Sequence, residues 1–299
     1  MSGHHHHEVK GMRLLITIFL NIIITAAQII GGIYSGSLAL LSDALHNFSD
    51  VMTLVITYIA NRMAGRTPTQ EKTFGYKRAE IIAALFNASV LVGTGFYLII
   101  EAARRVVNPE PVGSVVVIAL ALLGIVFNAA GMLLIKQDAH HNINIKAAYL
   151  HLLTDVMTSV AVLAGGIAMY YLQLYWIDPL ISILIAIYLI YAAYDILKDS
   201  ACILMQFAPA HIDLAGIERV ACGHPELKNI HHIHVWQLND REIFLEAHVD
   251  FNENLPLEEV MRICDALEEK LKRLYGITHV TLQSEFQKKD DKALVCGAH

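Results

Sequence analysis

Two pairs of residues with metal-binding side chains repeat at one spacing in this sequence. His46 stands four residues before Asp50, and His151 stands four residues before Asp155. Since an α-helix turns about 100° per residue, the two members of each pair lie on one helix face, one turn apart. Two such faces in contact would offer two imidazole nitrogens and two carboxylates, which suits tetrahedral zinc and related divalent metals. The spacing therefore predicts a four-ligand metal site between two helices.

A simpler interpretation is that each pair only joins helices through hydrogen bonds. Both pairs, however, fall in long apolar stretches, where an ionised aspartate is costly and therefore rare unless it is paired or functional. Two copies in separate stretches favour metal or proton handling. Asp43 lies seven residues before Asp50 and so on the same face. It is interpreted either as a residue of a proton path or as a helix-start cap or other polar contact.

The distribution of charge separates the chain into two parts. Of the 299 residues, 17% are charged, against about 25% in ordinary soluble domains. Residues 1–205 contain 12 acidic and 12 basic residues, whereas residues 206–299 contain 16 and 10, so the whole net charge of −6 belongs to the second part. This pattern excludes a cytosolic enzyme, a secreted disulfide scaffold and a nucleic-acid binder with a basic patch. It predicts an integral membrane protein with a soluble acidic domain.

Six apolar stretches are long enough to cross a bilayer, which takes about 20 residues. We predict helices at about residues 12–33, 38–63, 78–103, 114–136 and 145–172, and a sixth after Pro179 that ends near Lys198. Six crossings place both termini on one side, whose segments carry ten Lys and Arg residues against two on the other side. The excess of positive charge predicts that this side is cytoplasmic.

The C-terminal part is predicted to be a small α+β domain of the ferredoxin-like or metallochaperone-like type. The predicted elements have the order αββαβ: a helix at 209–222, strands at 228–238 and 242–251, a helix from Pro256 to Gly276 and a strand at 277–286. Apolar residues at helical spacing from Leu257 to Leu274 form the predicted buried face of the second helix.

These predictions divide the chain into four segments. Residues 1–11 form an arm that contains the run His4–His7, and residues 12–205 form the transmembrane transport domain. Residues 206–286 form the cytoplasmic domain, and residues 287–299 form a loose charged tail.

In five stretches the sequence resembles the cation diffusion facilitator family, and most closely its zinc-transporting branch. The matching stretches are SGSLALLSDALH (35–46), FGYKRAE (74–80), NIKAAYLH (144–151), HHIHVW (231–236) and THVTLQ (278–283). The resemblance implies a homodimeric exporter of divalent metal in exchange for protons, in a bacterial inner membrane. It also implies that His46, Asp50, His151 and Asp155 form the transport site and that its two histidines select zinc.

Further metal ligands are expected in the cytoplasmic domain. The resemblance implies regulatory zinc held by His232 or His231 together with His248 and Glu285. On the first strand, a period of two places His232 and His234 on one face and His231 on the other. His234 and His279 are additional candidates, although an exposed strand histidine is usually only solvated.

Two other classes of protein compete with the transporter. A membrane-embedded zinc enzyme usually keeps an open metal position and a general base, whereas these four ligands close the coordination sphere. An ion channel needs weak binding for fast passage, and two histidines with two aspartates should hold zinc tightly. The choice among zinc, cadmium, cobalt and nickel is left open.

Overall fold

The computed structural model describes residues 4–139 and 143–295. Residues 1–3, at the start of the predicted arm, and residues 296–299, at the end of the predicted tail, lie outside the described residues. The chain divides into two compact units: residues 1–59 with 84–197, and residues 60–83 with 198–299.

Six long helices make up most of the described chain. They are α1 (His4–Ser35), α2 (Leu38–Ala64), α3 (Ala79–Val107), α4 (Ser114–Ala139), α5 (Ile143–Leu172) and α6 (Ile177–Leu204). The predicted positions are confirmed within a few residues except at two ends: α1 begins at His4, so the backbone of the predicted arm continues this helix, and α6 ends at Leu204. In the described part of the chain, four helices have stretches long and apolar enough to cross a membrane, at Ala79–Val107, Ser114–Leu133, Tyr149–Leu172 and Ile177–Leu204.

The N-terminus of α2 is capped by a carboxylate that is distant in the sequence. Gly36 takes the left-handed conformation (φ 71°) that lets the chain turn sharply between α1 and α2. Asp178, at the start of α6, accepts hydrogen bonds from the Ser37 hydroxyl at 2.5 Å and from the Leu38 backbone N–H at 2.7 Å. Because the first N–H groups of a helix have no partner within it, Asp178 acts as a cap supplied by another helix.

Replacing Asp178 with Ala is expected to destabilise the first unit by about 2–3 kcal/mol, because two buried donors would lose a charged acceptor. Thermal unfolding of the purified protein in detergent measures this. Asp199→Ala, an exposed change on the same helix, is the matched control. Equal melting temperatures for the two variants would contradict the capping role.

The C-terminal part has the predicted order of elements. These are α7 (Leu214–Ala221), β1 (Leu227–Gln237), β2 (Ile243–Phe251), α8 (Leu257–Tyr275) and β3 (His279–Glu285). β2 lies in the middle of the sheet, antiparallel to β1 and parallel to β3. The predicted start of the first helix at Pro209 is wrong, because residues 209–213 form a turn and α7 begins only at Leu214.

Helix α8 forms where the sequence predicts it, but its buried face is shorter than predicted. Ile263, Leu267 and Leu271 are buried in the core beneath the sheet, and Gly276 ends the helix in the left-handed conformation typical of this position. Leu257 and Leu274 are exposed, contrary to the prediction. The buried face therefore covers only the central turns of the helix.

The prediction of a loose tail is wrong for residues 287–295, here called the tail segment. The backbone N–H groups of His232 and Ile233 donate to the carbonyls of Ala293 and Leu294 at 3.1 and 2.8 Å. The Leu294 side chain also packs against the core of the domain. The segment therefore folds back onto β1.

Candidate metal centre

The four residues predicted from their spacing come together in the first unit. α2 supplies His46 and Asp50, and α5 supplies His151 and Asp155. One ligand atom from each lies within 4.8 Å of the other three. Each pair occupies one face of its helix, as the four-residue spacing predicts, and the two faces meet.

The separations between these atoms match a small tetrahedral ion. His46 Nε2 lies 3.5 Å from Asp155 Oδ1, and His151 Nε2 lies 3.3 Å from Asp50 Oδ2 and 3.7 Å from Asp155 Oδ2. With zinc bonds of about 2.0–2.1 Å, neighbouring ligand atoms of a tetrahedron lie about 3.3 Å apart. These three contacts therefore lie within about 0.4 Å of the edge of such a tetrahedron, and all four ligand atoms lie within 4.8 Å of one another.

Several atoms of this group lack ordinary hydrogen bonds. Both ring nitrogens of His46, both carboxylate oxygens of Asp155 and Oδ2 of Asp50 are buried without a hydrogen-bond partner. Buried polar atoms are nearly always hydrogen-bonded, and the exceptions mark functional sites or sites of a missing ion. The group therefore contains buried atoms that a bound ion would satisfy.

The four side chains differ in their exposure. The Asp155 side chain is fully buried, whereas that of His151 is 41% exposed and that of Asp50 is 30% exposed. The inner wall includes Tyr188 of α6, whose ring lies edge-on to the His46 ring with centroids 6.0 Å apart. Asp50 and His151 are therefore the ligands that reach the surface of the described chain.

Asp43 belongs to a separate polar network. Its carboxylate accepts hydrogen bonds from Gln28 Nε2 at 2.9 Å, Thr158 Oγ1 at 2.8 Å and Ser159 Oγ at 3.2 Å. Asn47 donates to the other end of the Gln28 amide at 3.1 Å. These hydrogen bonds agree with the interpretation of Asp43 as a polar contact between helices. Its role in a proton path stays a prediction.

A second group of potential ligands lies on one face of the C-terminal sheet and in the tail segment. The residues are His231 of β1, His248 of β2, Glu285 of β3 and Asp290 of the tail segment. His231 lies opposite His248 in the strand register, and Asp250 lies opposite Glu285, which places all four strand residues on one face.

Their atoms are as close as those of the first group. His248 Nδ1 lies 3.0 Å from Glu285 Oε1, and His231 Nε2 lies 3.4 Å from Glu285 Oε2 and 3.7 Å from Asp290 Oδ2. Of the two alternatives His231 and His232, the structure brings His231 into the group. Asp290 was missed, because nothing in the sequence near it indicates that the tail segment returns to the sheet.

The predicted alternation of faces on β1 fails at His232. The register of β1 against β2 shifts between His231 and His234, and His232 has a positive φ of 52°. At such a bulge the period of two is interrupted. Consequently the ring of His232 stacks on that of His248 at 4.8 Å, although His231 faces His248 as well.

The remaining two candidates lie outside this group. His234 is exposed opposite Glu246, and its ring lies 4.8 Å from that of His232. His279 is exposed at the start of β3 beside Phe244. Their role as metal ligands stays a prediction.

The protonation states of the second group suit metal binding. Burial lowers the pKa of His248 below its ordinary value, and the nearby charge of Glu285 opposes this only in part. Burial would raise the pKa of Glu285, but hydrogen bonds from Lys288 and Lys292 hold it below the ordinary range. At neutral pH the imidazole is therefore neutral and the carboxylate ionised, as metal ligands must be.

Two family models together match most of the chain. A model of the cation efflux transmembrane domain matches residues 14–205, and a model of the cation efflux protein cytoplasmic domain matches residues 209–287. The chain belongs to the cation efflux family. This confirms the resemblance and identifies a multi-pass membrane transporter of metal cations, not an enzyme.

Three relatives within the cation efflux family illustrate the similarity. The chain is 36% identical to the "Cadmium, cobalt and zinc/H(+)-K(+) antiporter" of Bacillus subtilis over 98% of its own length and 96% of the relative's. It is 34% identical to the "Metal cation efflux system protein CzcD" of Cupriavidus metallidurans, over 95% and 90% of the two chains. It is 32% identical to the "Zinc transporter ZitB" of Escherichia coli, over 96% and 91%.

Proposed function

We propose that this protein exports Zn²⁺ from the cytoplasm in exchange for protons, with His46, Asp50, His151 and Asp155 as the transport site. The observation that carries the proposal is the convergence of four ligand atoms, together with the buried atoms of His46, Asp50 and Asp155 that lack hydrogen-bond partners. Two imidazoles with two carboxylates favour zinc over harder ions such as Mg²⁺ or Mn²⁺. The two carboxylates also neutralise the charge of a divalent ion at this depth.

Proton exchange follows from the chemistry of these ligands. Imidazole and carboxylate bind a metal only when deprotonated, so protons and zinc compete for the same atoms. An unperturbed imidazole titrates at about pH 6.5, which makes it sensitive to modest pH differences. Protons that enter from the more acidic outer side would therefore displace zinc, and deprotonation on the cytoplasmic side would restore the site.

The exposure of the four ligands supports a proposal about the side to which this conformation opens. Asp50 and His151 are the more exposed ligands. Each lies one turn nearer the predicted cytoplasmic end of its helix than the buried His46 and Asp155. We infer that this conformation is open to the cytoplasm, with six membrane-spanning helices and both termini on the cytoplasmic side. A bacterial inner membrane is the proposed location.

The C-terminal domain is proposed to sense zinc within a homodimer. His231, His248, Glu285 and Asp290 fit a tetrahedral ion in donor type and in spacing. Zinc bound there would offset part of the negative charge that this domain carries. Two such domains would then repel each other less, which favours their association.

Transport measurements in proteoliposomes test the proposal. An imposed pH gradient should drive zinc across the membrane against its own gradient, and zinc addition should dissipate the pH gradient, as reported by trapped zinc and pH dyes. A panel of cadmium, cobalt, nickel and manganese measures the selectivity. Zinc flux that does not respond to the pH gradient would contradict antiport, and proton movement without metal would indicate a channel.

A further inference from the structure

A lysine ammonium lies among the ligands of the cytoplasmic group. Lys292 Nζ lies 2.9 Å from Asp250 Oδ2, 3.2 Å from Glu285 Oε2 and 3.2 Å from His231 Nε2. It also forms a closer ion pair with Asp290. Three of the four proposed metal ligands are therefore already partners of this ammonium, which comes from the tail segment.

We propose that Lys292 is an internal cation that competes with divalent metal for the cytoplasmic site, while Asp290 of the same segment is a metal ligand. The proposal rests on the proposed function in one respect, namely that this group binds metal. The tail segment then sets the metal concentration at which the cytoplasmic site is occupied, because the Lys292 ammonium must leave the site before metal binds.

The positions of the two cations support this competition. A zinc ion lies about 2.0–2.2 Å from its oxygen and nitrogen ligands, whereas the ammonium contacts the same atoms at hydrogen-bond distance. His231 is fully buried and Glu285 is 6% exposed, so these two side chains have little room to turn from one cation to the other. Both cations would therefore occupy nearly the same place.

The balance of charge at the cytoplasmic site also supports competition between Lys292 and metal. The carboxylates of Asp250, Glu285 and Asp290 carry three negative charges, and the ammonium groups of Lys288 and Lys292 carry two positive charges beside them. Adding a divalent ion to this arrangement leaves an excess of positive charge in a partly buried site. Exchanging Lys292 for the ion brings the group to neutrality, so exchange is favoured over joint binding.

The tail segment is also placed to release the lysine. Its attachment to β1 includes two backbone hydrogen bonds, from His232 and Ile233, and Leu294 packs against the core of the domain. Lys292 itself is 29% exposed along its side chain. The ammonium can therefore move into solvent by rotation of its own long side chain while Asp290 stays near the site.

Metal binding by charge variants tests the competition. Zinc binding to the full-length protein in detergent is measured by equilibrium dialysis, and the cytoplasmic site is the class of sites lost in His248→Ala. Lys292→Gln should lower the dissociation constant of this class at least about tenfold, because the site no longer loses a competing cation. Lys292→Arg, which keeps the charge, and Lys289→Gln, an exposed change three residues earlier, should bind as the unaltered protein does.

Chemical labelling gives a second measurement that needs no variant at Lys292. An amine-reactive reagent followed by mass spectrometry should label Lys292 slowly without metal and faster with saturating zinc, while Lys289 is labelled equally in both states. Unchanged or weaker zinc binding in Lys292→Gln, or labelling of Lys292 that zinc does not alter, would overturn the proposal. If no class of zinc sites is lost in His248→Ala, the cytoplasmic metal site itself fails, and the inference with it.

Discussion

Zinc transport by an Asp155→Asn variant is expected to fall by at least about a hundredfold in proteoliposomes. Asp155 is fully buried, and neither of its oxygens has a hydrogen-bond partner. The amide keeps the shape of the side chain but removes one ligand charge, which leaves a bound Zn²⁺ with a single carboxylate in a poorly solvated site. Since residues that only support metal ligands change affinity by about 10–100-fold, loss of a ligand should exceed that range.

The control for this variant is a similar change away from the site. Asp195 lies exposed on α6, and Asp195→Asn should transport at the rate of the unaltered protein. Equal amounts of both variants in the membrane and equal elution on size exclusion separate a loss of transport from a loss of folding. Transport by Asp155→Asn at the unaltered rate would refute the four-ligand site.

The transport site could be predicted from the sequence because its geometry is mostly local. Helical periodicity alone places His46 with Asp50 and His151 with Asp155, since residues four apart share a face. Only the meeting of the two faces requires a long-range contact. That contact was predicted because buried carboxylates in apolar helices need partners.

Other features depend on contacts between distant residues and left no local pattern. Asp178 caps α2 across about 140 residues of chain, and no spacing rule connects the two positions. The bulge at His232 interrupts the expected alternation of faces on β1, and its sequence contains no glycine to indicate the positive φ. Both depend on how distant segments pack, so periodicity could not predict them.

The tail segment shows the same limit in the cytoplasmic group. Its charged composition resembles that of a disordered terminus, yet Lys292 and Asp290 contact two carboxylates and one imidazole on three strands. The signal that could have indicated this is the surplus of buried acids on the sheet face. Asp250 and Glu285 are both buried and therefore require cations from elsewhere in the chain.

The second large effect is expected for the choice of metal. A His46→Asp variant should raise the ratio of manganese to zinc transport at least about tenfold, equivalent to about 1.4 kcal/mol. His46 Nε2 faces Asp155 at 3.5 Å on the buried side of the site. A carboxylate there replaces a nitrogen donor with an oxygen donor and adds negative charge, and oxygen-rich sites suit manganese while imidazole suits zinc.

A His46→Ala variant separates this effect from the simple loss of a ligand. It should lower transport of every metal while leaving the ratio near that of the unaltered protein, because no new donor replaces the imidazole. Zinc, cadmium and manganese are offered in the same proteoliposomes under one pH gradient, and the three initial rates are compared. If His46→Asp keeps the original ratios, the donor at this position of α2 does not set the selectivity, and the imidazole of His151 on α5 becomes the residue to change next.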